Sequence, residues 1–249
     1  MYKGLVTSGC SFSLYDVGNK SHGWPYFLQQ KLLSDGILSE DFSSFHRGLG
    51  GNGNMLIARN TMEALNRLLK KGIKGEEILC VVGWSGVNRN QFFIDDTTLE
   101  VFQYDVGIRF EDGEYKDLVA HGKNGYYLVN EPSDLNLKFQ SHTNDVIESL
   151  WNWTTLQNYC EVNNIKPYYT FMFEHDKEML LDDDLGDTWA WKYLRDNIIT
   201  DNVLTSITKY LNEHSLKNPI GHSFLPDGHP SKRGHKVFSE YLRKSLTSI

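Results

Sequence analysis

An α/β fold, with helices layered on both faces of a central and mainly parallel sheet, is what this sequence predicts. Three observations carry the prediction. Ile78-Leu79-Cys80-Val81-Val82 is an unbroken apolar run of strand length, suited to a strand buried on both faces. Short apolar runs alternate with longer amphipathic stretches along the chain, which is the pattern of strand–helix–strand units. The length of 249 residues, 40% of them hydrophobic, fits one large α/β domain over residues 1–249 better than two small ones.

The elements follow in order. Gly4 to Thr7 reads as a first strand, and Trp24 to Leu33 as a helix whose buried side carries Tyr26, Phe27, Leu28 and Leu32. A second helix is expected from Met55 to Lys71, where Leu56, Ile57, Met62, Leu65, Leu68 and Leu69 recur at helical intervals. Glu77 to Gly83 contains the fully apolar strand. From 91 to 130 aromatic and β-branched residues are interrupted by Asp112-Gly113 and by Gly122 to Gly125, which predicts a β-rich insertion with a hairpin at Asp-Gly. The α/β rhythm then resumes with a helix over 143–163, a strand over 167–173 and a helix over 201–213. The acidic run Asp182-Asp183-Asp184 is expected in a loop. A last helix starts after Pro230, with Ser231 as its cap and Val237, Phe238, Tyr241, Leu242 and Leu246 as its apolar stripe.

Composition narrows the function classes. A formal net charge of −7 disfavours a nucleic-acid surface, which rests on clustered Lys and Arg. No apolar run approaches the roughly 18 residues a membrane span needs, and the N-terminus enters a strand without a secretory signal pattern. The expectation is a cytoplasmic protein. Cys10, Cys80 and Cys160 are widely spaced and form no C-x-x-C pattern, which indicates reduced thiols rather than disulfides or a zinc site. Asp182 to Asp184 with Asp187, and Glu174, His175 and Asp176, lack the spacing of known cation loops and read as solvated surface, so neither a metal nor a cofactor is expected.

Two segments at opposite ends carry the chemistry. Ser8-Gly9-Cys10-Ser11-Phe12-Ser13 puts a small-residue turn and a hydroxyl at the exit of the first strand, and Pro226-Asp227-Gly228-His229-Pro230-Ser231 puts a carboxylate and an imidazole on a loop before the last helix. A hydroxyl is a weak nucleophile until an imidazole takes its proton and a carboxylate fixes the imidazole's tautomer. Ser11, His229 and Asp227 are therefore the candidate nucleophile, base and acid. Ser85 competes as nucleophile, because Gly83-Trp84-Ser85-Gly86-Val87 partly matches the G-x-S-x-G elbow, with Val87 in place of the final glycine. A backbone carbonyl could orient His229 in place of Asp227. Gly50-Gly51-Asn52-Gly53-Asn54 could also be a turn or a phosphate-cradling loop before a helix.

Four blocks in this order resemble the SGNH hydrolases, also called the GDSL esterase/lipase family. Gly9-Cys10-Ser11-Phe12-Ser13 is similar to the nucleophile block, with Cys10 where the family often has Asp. Gly50-Gly51-Asn52-Gly53-Asn54 is similar to the second block, Val82-Gly83-Trp84-Ser85 stands in the place of the third, and Asp227-Gly228-His229-Pro230-Ser231 in that of the last. The resemblance implies a flavodoxin-like α/β/α sandwich and hydrolysis of carboxylic esters, including O-acetyl groups on carbohydrate, lipid esters and thioesters. It implies an oxyanion hole from the backbone of Ser11 and Gly51 with Ser85 standing where the family has asparagine. Asn52, Asn54 and Asn88 are alternatives to Ser85. Only Gly228 separates Asp227 from His229, where the family usually has two residues.

The implied partner is a small-molecule or carbohydrate ester, with Trp84 as a candidate substrate contact. Phe92, Phe93, Phe102, Tyr104, Tyr126, Tyr127, Trp189 and Trp191 are further candidate sugar platforms, and as readily core. The rival reading is a non-catalytic partner- or carbohydrate-binding protein on the same scaffold, its third block altered.

Overall fold

The computed structural model describes residues 1–13, 23–48, 52–87, 90–93, 103–111, 114–122, 125–129, 142–181, 189–217, 223–225 and 228–247; for 90–142, 144 and 189–191 it describes the backbone alone. Four parallel strands form the central sheet: β1 (Tyr2–Gly9), β2 (Leu38–Gly48), β3 (Ile78–Trp84) and β8 (Pro167–Phe171), in the order β2-β1-β3-β8. Gly9 pairs with Gly48 on one side and Gly83 on the other, so all these strands end on one rim.

Successive side chains along the inner strands are buried on alternate faces, as in a sheet covered on both sides. Val6, Cys80, Val82, Trp84, Tyr169 and Phe171 face one core, shared with α2 (Asn54–Lys70), α3 (His142–Val162) and α5 (Trp189–Asp196). Leu5, Leu79, Val81 and Tyr168 face the other, shared with α1 (Trp24–Ser34), α6 (Ile207–Lys217) and α7 (Lys232–Thr247). Each fully buried aliphatic side chain here contributes roughly 1.5–3 kcal/mol relative to exposure. This is the expected three-layer sandwich. The short helix α4 (Glu174–Leu181) follows β8 and sends Leu180 into the first core.

The connections place the rim's chemistry. The chain leaves β1, covers one face with α1 and returns to β2 at the edge; it then covers the other face with α2 and enters β3 on the opposite side of β1. The direction of winding thus reverses at β1, and a crevice opens at the strand ends beside such a switch point. Ser11 sits there.

Several elements differ from the sequence reading. β2 was not foreseen, because Leu38–Gly48 is mostly polar and only partly buried, as befits an edge strand. Helix α6 starts at Ile207 rather than near 201, since Leu204 N–H donates to Tyr169 O and Val203 bridges Tyr169 before the helix begins. On α1 the buried side is Trp24, Pro25, Leu28 and Leu32, while Tyr26 and Phe27 are only half-buried. Helices α4 and α5, of eight residues each, are further elements absent from the sequence reading.

Between β3 and α3 a second sheet runs antiparallel in the order β4 (Asn90–Phe93), β5 (Gln103–Glu111), β6 (Glu114–Gly122), β7 (Gly125–Val129). Glu111 pairs with Glu114 across the Asp112-Gly113 step. The acidic run 182–184 lies outside the described residues. Among the described residues no helix is long and apolar enough to cross a membrane.

Candidate active site

β1 delivers the chain to the rim through Gly9, whose φ of +155° few side chains tolerate. Space forbids a side chain as well: a β-carbon at Gly9 would lie 2.7 Å from Ser13 Cβ and 2.8 Å from Gly83 O, and one at Gly83 would lie 2.7 Å from Ser13 Oγ. The two glycines admit the Ser13 hydroxyl between strand ends, where it accepts the Trp24 indole N–H at 3.1 Å. Cys10 is buried and its thiol donates to Met172 Sδ at 3.5 Å. Residues Ser11–Ser13 then form a tight 3-10 turn, closed by Ser13 N–H on Cys10 O, which leaves the Ser11 hydroxyl at the rim.

The histidine arrives on a turn built by backbone pairing. Ser231 N–H donates to Ser223 O, Leu225 N–H to His229 O and Gly228 N–H to Leu225 O, while Phe224 bridges Pro230. Gly228, at φ +82°, takes the left-handed conformation that closes this turn. Ser231 Oγ then accepts Gly234 N–H at 3.1 Å, capping α7 as its sequence suggests. The outcome is a contact across 218 positions of sequence: His229 Nε2 lies 2.8 Å from Ser11 Oγ. With the imidazole in its Nδ1–H tautomer the hydroxyl donates to Nε2, the geometry of a general base on its nucleophile. Phe12 walls the imidazole, the rings tilted and 5.1 Å apart. His235, one turn into α7, is held down to about 4 by burial and by the neighbouring His229.

The second block braces the rim. Asn52 and Asn54 are both buried; the Asn52 amide donates to Gly9 O at 3.1 Å, two residues before Ser11. Asn54 opens α2 and uses both ends of its amide, accepting Ser85 N–H at 2.9 Å and donating to Ser149 Oγ on α3 at 3.0 Å. Three elements are thereby pinned at one point. Ser85 is fully buried and its hydroxyl has no hydrogen-bond partner among the described residues. The imidazole is bonded to Ser11, not to Ser85.

Trp84 corrects the sequence reading. It is 1% exposed, stacked on Tyr169 at 6.1 Å and tilted against Trp153 at 6.2 Å, so it is core and not a substrate contact. On a central strand of a doubly covered sheet, a side chain one residue before the rim still points into a helix layer. Gly51, Asn88 and Asp227 lie outside the described residues, as do the side chains of Phe92, Phe93, Phe102, Tyr104, Tyr126, Tyr127, Trp189 and Trp191. Glu174 accepts from Lys177 at 3.3 Å and Lys209 at 3.1 Å, which makes it an ion-pair partner. The sequence reading missed the end of β8 as a site wall, where Met172 touches Cys10 and Phe173 packs edge-on against Phe12 at 5.6 Å. Its signal was available, since every parallel strand ends on the same rim.

No family's sequence profile matches the chain, and no curated protein matches it. Solved structures do. TesA aligns over 98% of this chain and 98% of its own, with 12% identity and a TM-score of 0.50. The esterase EstA from a Pseudoalteromonas species aligns over 99% and 97%, with 10% identity and a TM-score of 0.49. A member of the lipolytic G-D-S-L family from Veillonella parvula aligns over 99% and 99%, with 10% identity and a TM-score of 0.47. At 12% identity the likeness to TesA shows the fold alone, the α/β/α sandwich found in SGNH hydrolases.

Proposed function

We propose that the protein is a serine esterase of the SGNH type, acting on carboxylic esters, O-acetyl groups on carbohydrate among them. The observation that carries this reading is the 2.8 Å approach of His229 Nε2 to Ser11 Oγ at the switch-point rim. Ser11 Oγ attacks the carbonyl carbon while its proton passes to Nε2. The tetrahedral oxyanion collapses, the C–O bond to the alcohol breaks, and Nε2 gives its proton to the departing oxygen. Water then attacks the acyl-Ser11 ester as His229 takes its proton, and collapse releases the carboxylic acid and restores the Ser11 hydroxyl. Asp227 holds Nδ1–H and stabilises the imidazolium.

The backbone N–H groups of Ser11 and Gly51 are the first two oxyanion donors in this reading. Among the described residues the Ser85 hydroxyl and the amide hydrogen of Asn52 not given to Gly9 compete for the third place, with Asn88 a further alternative. Asn54 also keeps one amide hydrogen, but its amide is held at both ends, by Ser85 N–H and Ser149 Oγ, so it serves first as a brace. Loss of the true third donor costs about 2.7–4 kcal/mol of transition-state stabilisation.

The test is hydrolysis of p-nitrophenyl acetate and covalent labelling by a fluorophosphonate. Wild type is expected to do both, and Ser11→Ala to lose labelling and at least about 10⁴-fold in kcat. Labelling that survives in Ser11→Ala and vanishes in Ser85→Ala would move the nucleophile to Ser85. No labelling and no turnover in the wild type would leave a binding protein on a hydrolase scaffold.

A further inference from the structure

The approach of His229 Nε2 to Ser11 Oγ joins two turns that arrive by separate routes. Ser11 leaves the end of β1 on the turn Ser11–Ser13, and His229 comes on the turn that feeds α7. Phe12 meets the imidazole as a wall, a contact with no hydrogen bond to fix its direction. A pair held at 2.8 Å needs both turns referred to one body, because a misplacement of about 1 Å at a reacting pair can cost about 100-fold in rate.

Trp24, the first residue of α1, touches both routes and is fully buried between them. Its indole N–H donates to Ser13 Oγ at 3.1 Å, two residues after the nucleophile. Ser13 is itself seated against Gly9 and Gly83 at the strand ends, where a β-carbon on either glycine would collide with it. The socket fixes where Ser13 sits, and the indole fixes how its hydroxyl is turned. On the other side the Trp24 ring meets Phe238 of α7 edge-on, with centroids 6.2 Å apart and planes at 82°. Further along the two helices Lys31 pairs with Glu240 at 2.5 Å and Asp35 with Arg243 at 2.9 Å. Helix α7 begins three residues after His229 and is capped by Ser231, so its placement passes directly to the imidazole's turn.

Resting on the esterase reading above, we propose that Trp24 is a positioning residue for the reaction, tying the nucleophile's turn to the histidine's helix and so setting the approach of Ser11 to His229. It acts through Ser13 on one side and through Phe238 on the other. Its indole N–H is the directional part of the link, and its ring is the packed part.

The experiment measures the rate at which a fluorophosphonate labels Ser11, with kcat and KM for p-nitrophenyl acetate beside it, in the wild type, Trp24→Phe, Ser13→Ala and the double variant. Phenylalanine keeps a ring against Phe238 and removes the N–H, whereas Ser13→Ala removes the acceptor. Labelling reads activation of the hydroxyl apart from ester binding. Each single variant is expected to slow labelling and to lower kcat by about tenfold or more with KM within about twofold, and the double variant to lose no more than the worse single one. Near-UV circular dichroism shows which variants are folded, and Ser13→Ala decides the matter if Trp24→Phe does not fold. Labelling and kcat within about twofold of wild type in the folded variants, whatever their melting temperatures, overturn the proposal and leave the esterase standing. Losses that multiply in the double variant overturn it too, since the two residues would then not act through one bond. No labelling and no turnover in the wild type overturns the esterase reading and this proposal with it.

Discussion

Asn54→Ala is the perturbation that best tests how the rim is held. The side chain is 3% exposed and makes two hydrogen bonds, from Ser85 N–H at 2.9 Å and to Ser149 Oγ at 3.0 Å. Truncation strands the Ser85 N–H, a buried donor with no freedom to turn, at about 1–3 kcal/mol. The Ser149 hydroxyl can rotate, so its loss lies at the low end of the same range. Together with the small void, the expected destabilisation is about 3 kcal/mol, or roughly 6–12 °C in melting temperature for a chain of this size. The assay is thermal and urea unfolding of the variant beside the wild type. Asn54→Asp keeps the acceptor for Ser85 N–H and lets Ser149 donate instead, so it should recover stability as pH falls and the buried carboxyl takes up a proton. A melting temperature within about 2 °C of wild type in Asn54→Ala would show that the amide does not join α2, β3 and α3.

Two further outcomes are expected. Gly9→Ala should cost about 2–4 kcal/mol, from crowding against Ser13 and Gly83 and from its φ, and Ser13→Gly in the same chain should recover part of that loss; urea midpoints of the single and double variants decide it. Burial pushes His46, which lies 2.6 Å from both Thr7 Oγ1 and Gln29 Oε1, down to about 4. Unfolded, it titrates near 6.5, so the unfolded chain binds more protons between these values. The stability His46 contributes is whole above about pH 6.5 and is lost as pH falls towards 4. His46→Gln should flatten that part of a stability-against-pH curve, and an unchanged slope would refute the assignment.

The legible parts of the fold are those where one segment states its own environment. The run Ile78 to Val82 can satisfy its apolar side chains only between two layers, and it is buried throughout. The helical spacing of Leu56, Ile57, Leu65 and Leu68 likewise names its buried face, as found. Edge strand β2 was illegible because half its surroundings are solvent, which erases the alternation that marks a strand. At the site, Ser11 and His229 could be named from their turns, but Trp84 could not be told from a substrate platform. An aromatic residue beside a strand end has the same local sequence whether it faces a crevice or a helix layer.

The sequence therefore specifies what is local: the strand and helix periods, the glycine that turns at Gly228, the cap at Ser231, and a hydroxyl and an imidazole placed on turns at opposite ends of the chain. The tertiary structure decided everything that depends on distance. It brought His229 to Ser11 across the whole chain, turned Asn52 and Asn54 into braces for the rim, sent Trp84 inward and set Phe173 against Phe12. The physical reason is that periodicity reports which face of an element is buried, whereas the partner on that face is chosen by packing two layers onto one twisted sheet, and the packing energy is shared among residues far apart in sequence.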